Sequence, residues 1–266
     1  TLGVDATTLE ANAALRSIVR RDTGDTYQEF LTKLAQASGV ATPTRADLAK
    51  VDRKRKQKGS NDDWTHPHDP DARITKMKDG QTHLAYKAEH VIDLESELIL
   101  APQIYAGDTG DTTTVETSLA KAEAYGDALS IPVVIDEVVA DKGYHAAVAL
   151  ELCDSLDLRT YIPEPQRKSD WDWTERTPEQ QRAVHGNRRR VQRAKGKQLQ
   201  RRRSELCERS FAHVCETGGM RRTWLCGLMD VTKRYRVATA AHNLGRVLRT
   251  LFGVGKPRTL QGSGEG

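Results

Sequence analysis

Between Pro132 and Gly143 the chain holds Val133, Val134 and Ile135, then Val138 and Val139, a short β-branched apolar run. Bounded in this way, it predicts a buried strand of a mixed sheet. Asp141 stands where that strand runs out, and a helical pattern follows over 144–156. A carboxylate at the C-terminal edge of a buried strand faces the crevice where open α/β sheets place ligands. Asp is also an ordinary residue for starting turns and helices. The first residues repeat the arrangement, with Leu2, Gly3 and Val4 forming a short run that ends at Asp5.

The remaining elements follow from the same patterning. Ala13, Leu15, Ile18 and Val19 make a second apolar stretch, and over 26–37 Phe30, Leu31, Leu34 and Ala35 fall at helical spacing. Thr44, with Asp47 at the capping-box position, predicts a short helix containing Leu48 and Val51. Segments 74–77 and 82–91 around Asp79-Gly80 predict a hairpin, and 98–105 a third strand of the meander. Asp111 reads as the cap of a helix over 112–125 in preference to a metal ligand. A last strand is expected over 158–162, closed by Pro163 and Pro165. Leu206, Phe211 and Val214 put Glu208 on a helix, and Gly218-Gly219 breaks it. Over 237–252, Val237, Ala240, Ala241, Leu244, Val247, Leu248 and Leu251 predict an amphipathic closing helix packed on the sheet, with His242 a packed or surface histidine.

Composition narrows the class. The chain has 266 residues, enough for one well-buried domain with insertions or for one and a half domains, and basic residues exceed acidic ones by only four. Cys153, Cys207, Cys215 and Cys226 include no C-x-x-C pair, which fits a reduced protein better than a disulfide scaffold or zinc site. Nothing reads as a signal peptide or an apolar membrane span, so a cytoplasmic, nucleoid-associated protein with no membrane partner is expected.

Charge distribution says more than the net value. Arg53 to Lys58 form a basic run, read equally as a solvated helix end or a phosphate-contacting patch. From about 165 to 200 the apolar periodicity fades, and Arg188, Arg189, Arg190, Arg193, Lys195, Lys197, Arg201, Arg202 and Arg203 follow with no acidic residue among them. Unpaired positive charge of this density repels itself unless phosphates neutralise it and release counterions. DNA contact is expected here, against the plainer reading of a solvated, partly disordered loop. Trp171 and Trp173 suit either a local apolar cluster or stacking on an unpaired base.

Asp5, Asp141 and Glu208, two on strands and one on a helix, are residue types that can converge on divalent cations. Two such ions stabilise the attacking and leaving oxygens of an in-line phosphoryl displacement. The stretches LGVDATTLEANAALRSIVRR, DPDARITKMKDGQTHLAYKAEHVIDLES, GDTGDTTTVETSLAKAEAYG, VVADKGYHA and ERSFAHVCETGGMRRTWLCGL closely resemble the catalytic domain of bacterial insertion-sequence DDE transposases, in the same order over nearly the whole chain. That resemblance implies an α/β, RNase H-like mixed sheet flanked by helices with insertions, and the triad Asp5, Asp141 and Glu208. It implies two Mg²⁺ or Mn²⁺ ions per site, DNA hydrolysis and strand transfer at element ends, and a homodimer or higher assembly on end and target DNA. Many relatives carry a lysine seven residues past the glutamate, where this chain has Cys215. Arg209 and His213 are further candidates for phosphate contact.

The expected layout is a catalytic core over 1–163 with an insertion at about 26–71. A basic insertion or linker follows over 164–202, then core helices over 203–254 and a tail over 255–266. Relatives have a helical segment ahead of the first strand, so an N-terminally truncated transposase is expected. An RNase H-like nuclease that cuts without joining, or a catalytically inactive DNA-binding remnant, are the alternatives.

Overall fold

The computed structural model describes residues 1–55, 59–77, 80–131, 133–166 and 173–253. Along the chain run β1 (Leu2–Glu10), β2 (Val19–Arg20), α1 (Tyr27–Ala37), α2 (Arg45–Lys54), β3 (Trp64–Thr65), β4 (Arg73–Lys76) and β5 (Thr82–Asp93). There follow β6 (Ile99–Ala106), α3 (Asp111–Ala128), β7 (Glu137–Ala140), α4 (Ala147–Ser155), β8 (Arg159–Tyr161), α5 (Pro178–Gln192), α6 (Ala194–Phe211) and α7 (Leu228–Phe252).

One mixed sheet organises these elements, in the order β5-β1-β7-β8, with β4 and β6 both pairing β5. β1 runs antiparallel to β5 from Leu2↔Asp93 to Glu10↔Ala85, and parallel to β7 through Leu2↔Val138, Gly3↔Val139 and Val4↔Ala140. This is the expected mixed α/β, RNase H-like arrangement, with helices on both faces. β5 shows why both faces are covered, since every residue from Leu84 to Ile92 is buried. Successive side chains of a strand point to opposite faces. Ala88 and Ile92 therefore pack with Phe211 and Tyr235 of α6 and α7, while Val91 packs with Val115 and Leu119 of α3.

Local signals set several helix starts. Thr26 with Glu29 and Thr44 with Asp47 both form reciprocal capping boxes, which satisfy backbone donors the first turn leaves open. α5 starts on Thr177 with Pro178 in its first turn, a position where the missing N–H costs nothing.

Several expectations are corrected. β1 continues past Asp5 to Glu10 because Thr7 and Leu9 keep alternating inward, so Asp5 is mid-strand. β7 begins only at Glu137. Asp111 is the first helical residue behind Gly110 and makes no side-chain cap. The hairpin forms, but Asp79 of its turn lies outside the described residues. The basic stretch, for which a solvated loop is the plainer alternative reading, is helical, because Arg, Lys and Gln are good helix formers and a few residues anchor it. Asn187 binds both the N–H and the C=O of Ile162, between buried Ala183 and Val184 and the end of β8. On α7 the packed stripe is Val231, Tyr235 and Thr239, with Asn243 bonded to both backbone groups of Ile99. The expected apolar stripe is turned outward, leaving Val237, Leu244 and Leu251 exposed.

Candidate active site and nucleic-acid face

The β1/β7 register fixes the position of two carboxylates. Val4 and Ala140 are partners on adjacent parallel strands, so Asp5, the next residue of β1, and Asp141, the first residue past the end of β7, come at the same level of the sheet. Both line one cleft of about 230 Å³ together with Thr7, Lys76, Lys87 and Asp111. Asp141 Oδ1 accepts from the Gly143 N–H at 2.7 Å, a turn that aims the carboxylate back over the cleft. Asp5 Oδ1 accepts from the Ala6 N–H at 2.8 Å. A Cβ on Gly143 would stand 2.5 Å from Asp111 Oδ2 and 3.0 Å from Asp141 Oδ1, so glycine is what lets these two carboxylates crowd one point.

Charge behind the cleft is balanced by a buried cation. Lys87 is 5% exposed and binds Asp111 at 2.7 Å, Glu89 at 3.2 Å and Thr114 at 2.9 Å. Glu89, fully buried on the same face of β5, also accepts from Thr114, Ser118 and Tyr144. Burial first, then the charges of Glu89, Asp111 and more weakly Asp5, push the Tyr144 phenol well above its ordinary range. That hydroxyl remains a hydrogen-bond donor at any working pH. The sequence pattern marks Asp111 as a cap and leaves Lys87 unmarked, because a lysine inside an apolar strand gives no local sign of its partners.

α6 carries the third candidate and an unexpected cation. Arg203, 9% exposed, turns its Nη1 to Asp5 Oδ2 at 3.0 Å. Glu208 is exposed and accepts from the Ser204 hydroxyl at 2.8 Å, outside the lining of the cleft. Cys207 lies near both, since its thiol is pushed up by burial first, then by Asp5, with Arg203 opposing and Glu208 adding. Among the described residues, no three His, Cys, Asp or Glu side chains stand together closely enough to hold a metal ion. Of the expected triad, Asp5 and Asp141 line this cleft, and Glu208 stands outside its lining on the neighbouring helix. Close carboxylates repel unless a cation intervenes, and here Arg203 and Lys87 are those cations. Two hard-oxygen donors on one cleft still suit Mg²⁺ or Mn²⁺, which commonly take one or two carboxylates with substrate phosphates. Asp141 Oδ2 has no partner among the described residues and is open to such an ion.

The basic candidates divide into two groups. Arg188 chelates Glu164, Arg190 binds the Thr160 carbonyl and hydroxyl, Lys195 pairs with Glu137, and Arg203 with Asp5. Arg209 is held by Glu97 and Glu205. Arg188, Arg190, Lys195 and Arg203 were expected to be unpaired and are instead paired within the fold, as is Arg209, a candidate phosphate contact. Arg189, Arg193, Lys197, Arg201 and Arg202 are exposed, with no acidic partner among the described residues. On α6, Lys197, Arg201, Ser204 and Glu208 recur at helical spacing and share one outward stripe.

Other expectations fall elsewhere. His213 lines a separate cleft of about 330 Å³ with His242 and Arg249, away from the two aspartates. Cys215, where relatives carry lysine, is fully buried beside the Tyr235 hydroxyl. Trp173 stacks on His185 with ring centres 4.7 Å apart, while Trp171 and Lys56 to Lys58 lie outside the described residues.

No helix of the described chain is long and apolar enough to cross a membrane. No curated protein matches the chain. The family model described as a transposase DDE domain matches residues 49–244, a span that includes Asp141 and Glu208 and begins after Asp5, and the chain belongs to this transposase DDE family.

Proposed function

We propose that this chain is the catalytic domain of an insertion-sequence transposase, which cuts a phosphodiester at the element's end and joins the freed 3′-hydroxyl to target DNA. The single observation that carries the reading is the Val4↔Ala140 register, which delivers Asp5 and Asp141 side by side to one cleft. Asp5 and Asp141 would hold divalent cations, with Glu208 of the neighbouring helix as the third ligand. Mg²⁺ or Mn²⁺, when bound, supplies the positive charge that stabilises the attacking and leaving oxygens.

The chain's own groups do the rest. Lys76 and Lys87 bring positive charge to the cleft that a phosphate enters. Arg189, Arg193, Lys197 and Arg201 offer cations along α5 and α6 toward Glu208, and would position the DNA backbone without reading its bases. The outward stripe of α6 then aligns one strand's phosphates with the carboxylate cleft.

The deciding experiment is incubation of the chain with supercoiled or pre-nicked end DNA and Mg²⁺ or Mn²⁺. Metal-dependent nicking plus joined product supports the transposase. Nicking without joining supports an RNase H-like nuclease, and DNA binding without either supports an inactive remnant.

A further inference from the structure

We infer that Arg203 is a positioning residue that competes with the divalent cation for Asp5, so that metal affinity is set by a guanidinium built into α6. The inference rests on the proposed role of Asp5 as a metal ligand. Its basis is the 3.0 Å pair between Arg203 Nη1 and Asp5 Oδ2, with the arginine side chain 11% and the aspartate side chain 21% exposed. At such burial an ion pair is less screened than one on the surface. Arg203 is also packed in place, because a Cβ on Gly3 would stand 3.0 Å from its Cγ.

The arginine is imperfectly satisfied, which makes it displaceable. Its Nε is buried without a partner, and its Nη2 reaches Gln200 Oε1 only at 3.4 Å. A buried donor left open costs free energy. The Asp5 contact is therefore the arginine's main charge partner, and losing it would require the guanidinium to turn toward solvent or an incoming phosphate. Gln200, one turn earlier, donates to the Ala140 carbonyl at 3.0 Å and so ties the same stretch of α6 to the residue before Asp141. Arg203 and Gln200 together clamp α6 across the two strand positions that present the carboxylates. A cation at Asp5 must share or replace the guanidinium, and a DNA phosphate nearby would give the freed arginine a new anion.

The test uses Mn²⁺ alone as the probe, with its free concentration read by electron paramagnetic resonance, and needs no cleavage. Arg203→Gln keeps a hydrogen-bonding side chain and removes the charge, and should bind Mn²⁺ about tenfold more tightly than the parent, a coupling of ordinary size between two ligands sharing one partner. Arg203→Lys, which retains the charge, should stay near the parent value. Unchanged or weaker Mn²⁺ binding by folded Arg203→Gln overturns the inference. Asp5→Asn separates the two layers of the argument. If it binds Mn²⁺ as the parent does, the metal reading of Asp5 falls and this inference with it. If Asp5→Asn loses binding while Arg203→Gln is unchanged, only the role of Arg203 falls. Should Arg203→Gln fail to fold, the parent still answers, since Mg²⁺ must then move the side-chain NMR signal of Arg203. A signal that stays still at saturating Mg²⁺ overturns the competition.

Discussion

Arg188 chelates Glu164 through two hydrogen bonds of 2.7 and 3.0 Å, which removes it from the pool of cations able to meet DNA. With Arg190, Lys195 and Arg209 also engaged, and Arg203 held by Asp5 while no cation is bound, the footprint proposed for DNA contracts to Arg189, Arg193, Lys197, Arg201 and Arg202. Neutralising Arg189, Arg193, Lys197 and Arg201 together should flatten the salt dependence of DNA affinity, by up to about 0.9 in slope for each phosphate that is no longer neutralised. Neutralising Arg188 should leave the slope unchanged and lower stability. Binding titrations at several salt concentrations check both, and equal slopes for the quadruple variant and the parent would reject this face.

The capping boxes predict modest, separable losses. Thr26→Ala and Thr44→Ala each remove a hydroxyl that accepts an N3 backbone N–H, and each should cost about 1 kcal/mol. Denaturant midpoints of the two single variants and the double measure this. Near-additivity is expected if the two boxes act independently. A loss within error of zero at Thr44 would mean that α2 unfolds apart from the rest.

How far these features were legible in the sequence depends on the range of their partners. The Thr44–Asp47 capping box and the apolar runs leading to Asp5 and Asp141 rest on neighbours within a few residues, where local pattern reads them, whereas the Thr26–Glu29 box goes unread. Arg203–Asp5 and Lys195–Glu137 join residues far apart in the chain, so the same arginines and lysines that read as free charge are ion-paired. α5 is hard to read because its anchors are a pair of small apolar residues, Ala183 and Val184, and a buried polar one, Asn187, too narrow a stripe for periodicity to register. On α7 periodicity misleads in the other direction. Val237, Leu244 and Leu251 form the stronger apolar stripe, yet Val231, Tyr235 and Asn243 find partners on the sheet side.

His90 predicts acid sensitivity. It is fully buried between Ser210 and Tyr235, each 2.8 Å from a ring nitrogen, and burial lowers its pKa from 6.5 to about 3, with His242 adding a smaller push. The unfolded chain takes up a proton that the folded chain refuses. The contribution is therefore complete above pH 6.5 and is lost as pH falls toward 3, with a slope approaching 1.4 kcal/mol per pH unit. His242, lowered to about 4, acts in the same sense and leaves a residual slope. Unfolding free energies between pH 6.5 and 4.5 should fall less steeply in His90→Gln than in the parent, at a lower starting stability. Parallel curves would contradict the assignment.

Whether Asp5 and Asp141 share a metal-dependent phosphodiester site, as proposed, is decided by Asp141→Asn. Asn keeps an Oδ1 to accept the Gly143 N–H, so the turn and the fold should persist by circular dichroism. It loses the charge that holds a cation, and catalysis by charge neutralisation should collapse with it, by about 100-fold or more if each interaction at the reacting phosphate is worth several kcal/mol. Cleavage of supercoiled end DNA by parent and variant at matched Mg²⁺ or Mn²⁺ is the measurement. Metal-dependent nicking by the parent and none by folded Asp141→Asn is the predicted result, and equal nicking by both would contradict the account.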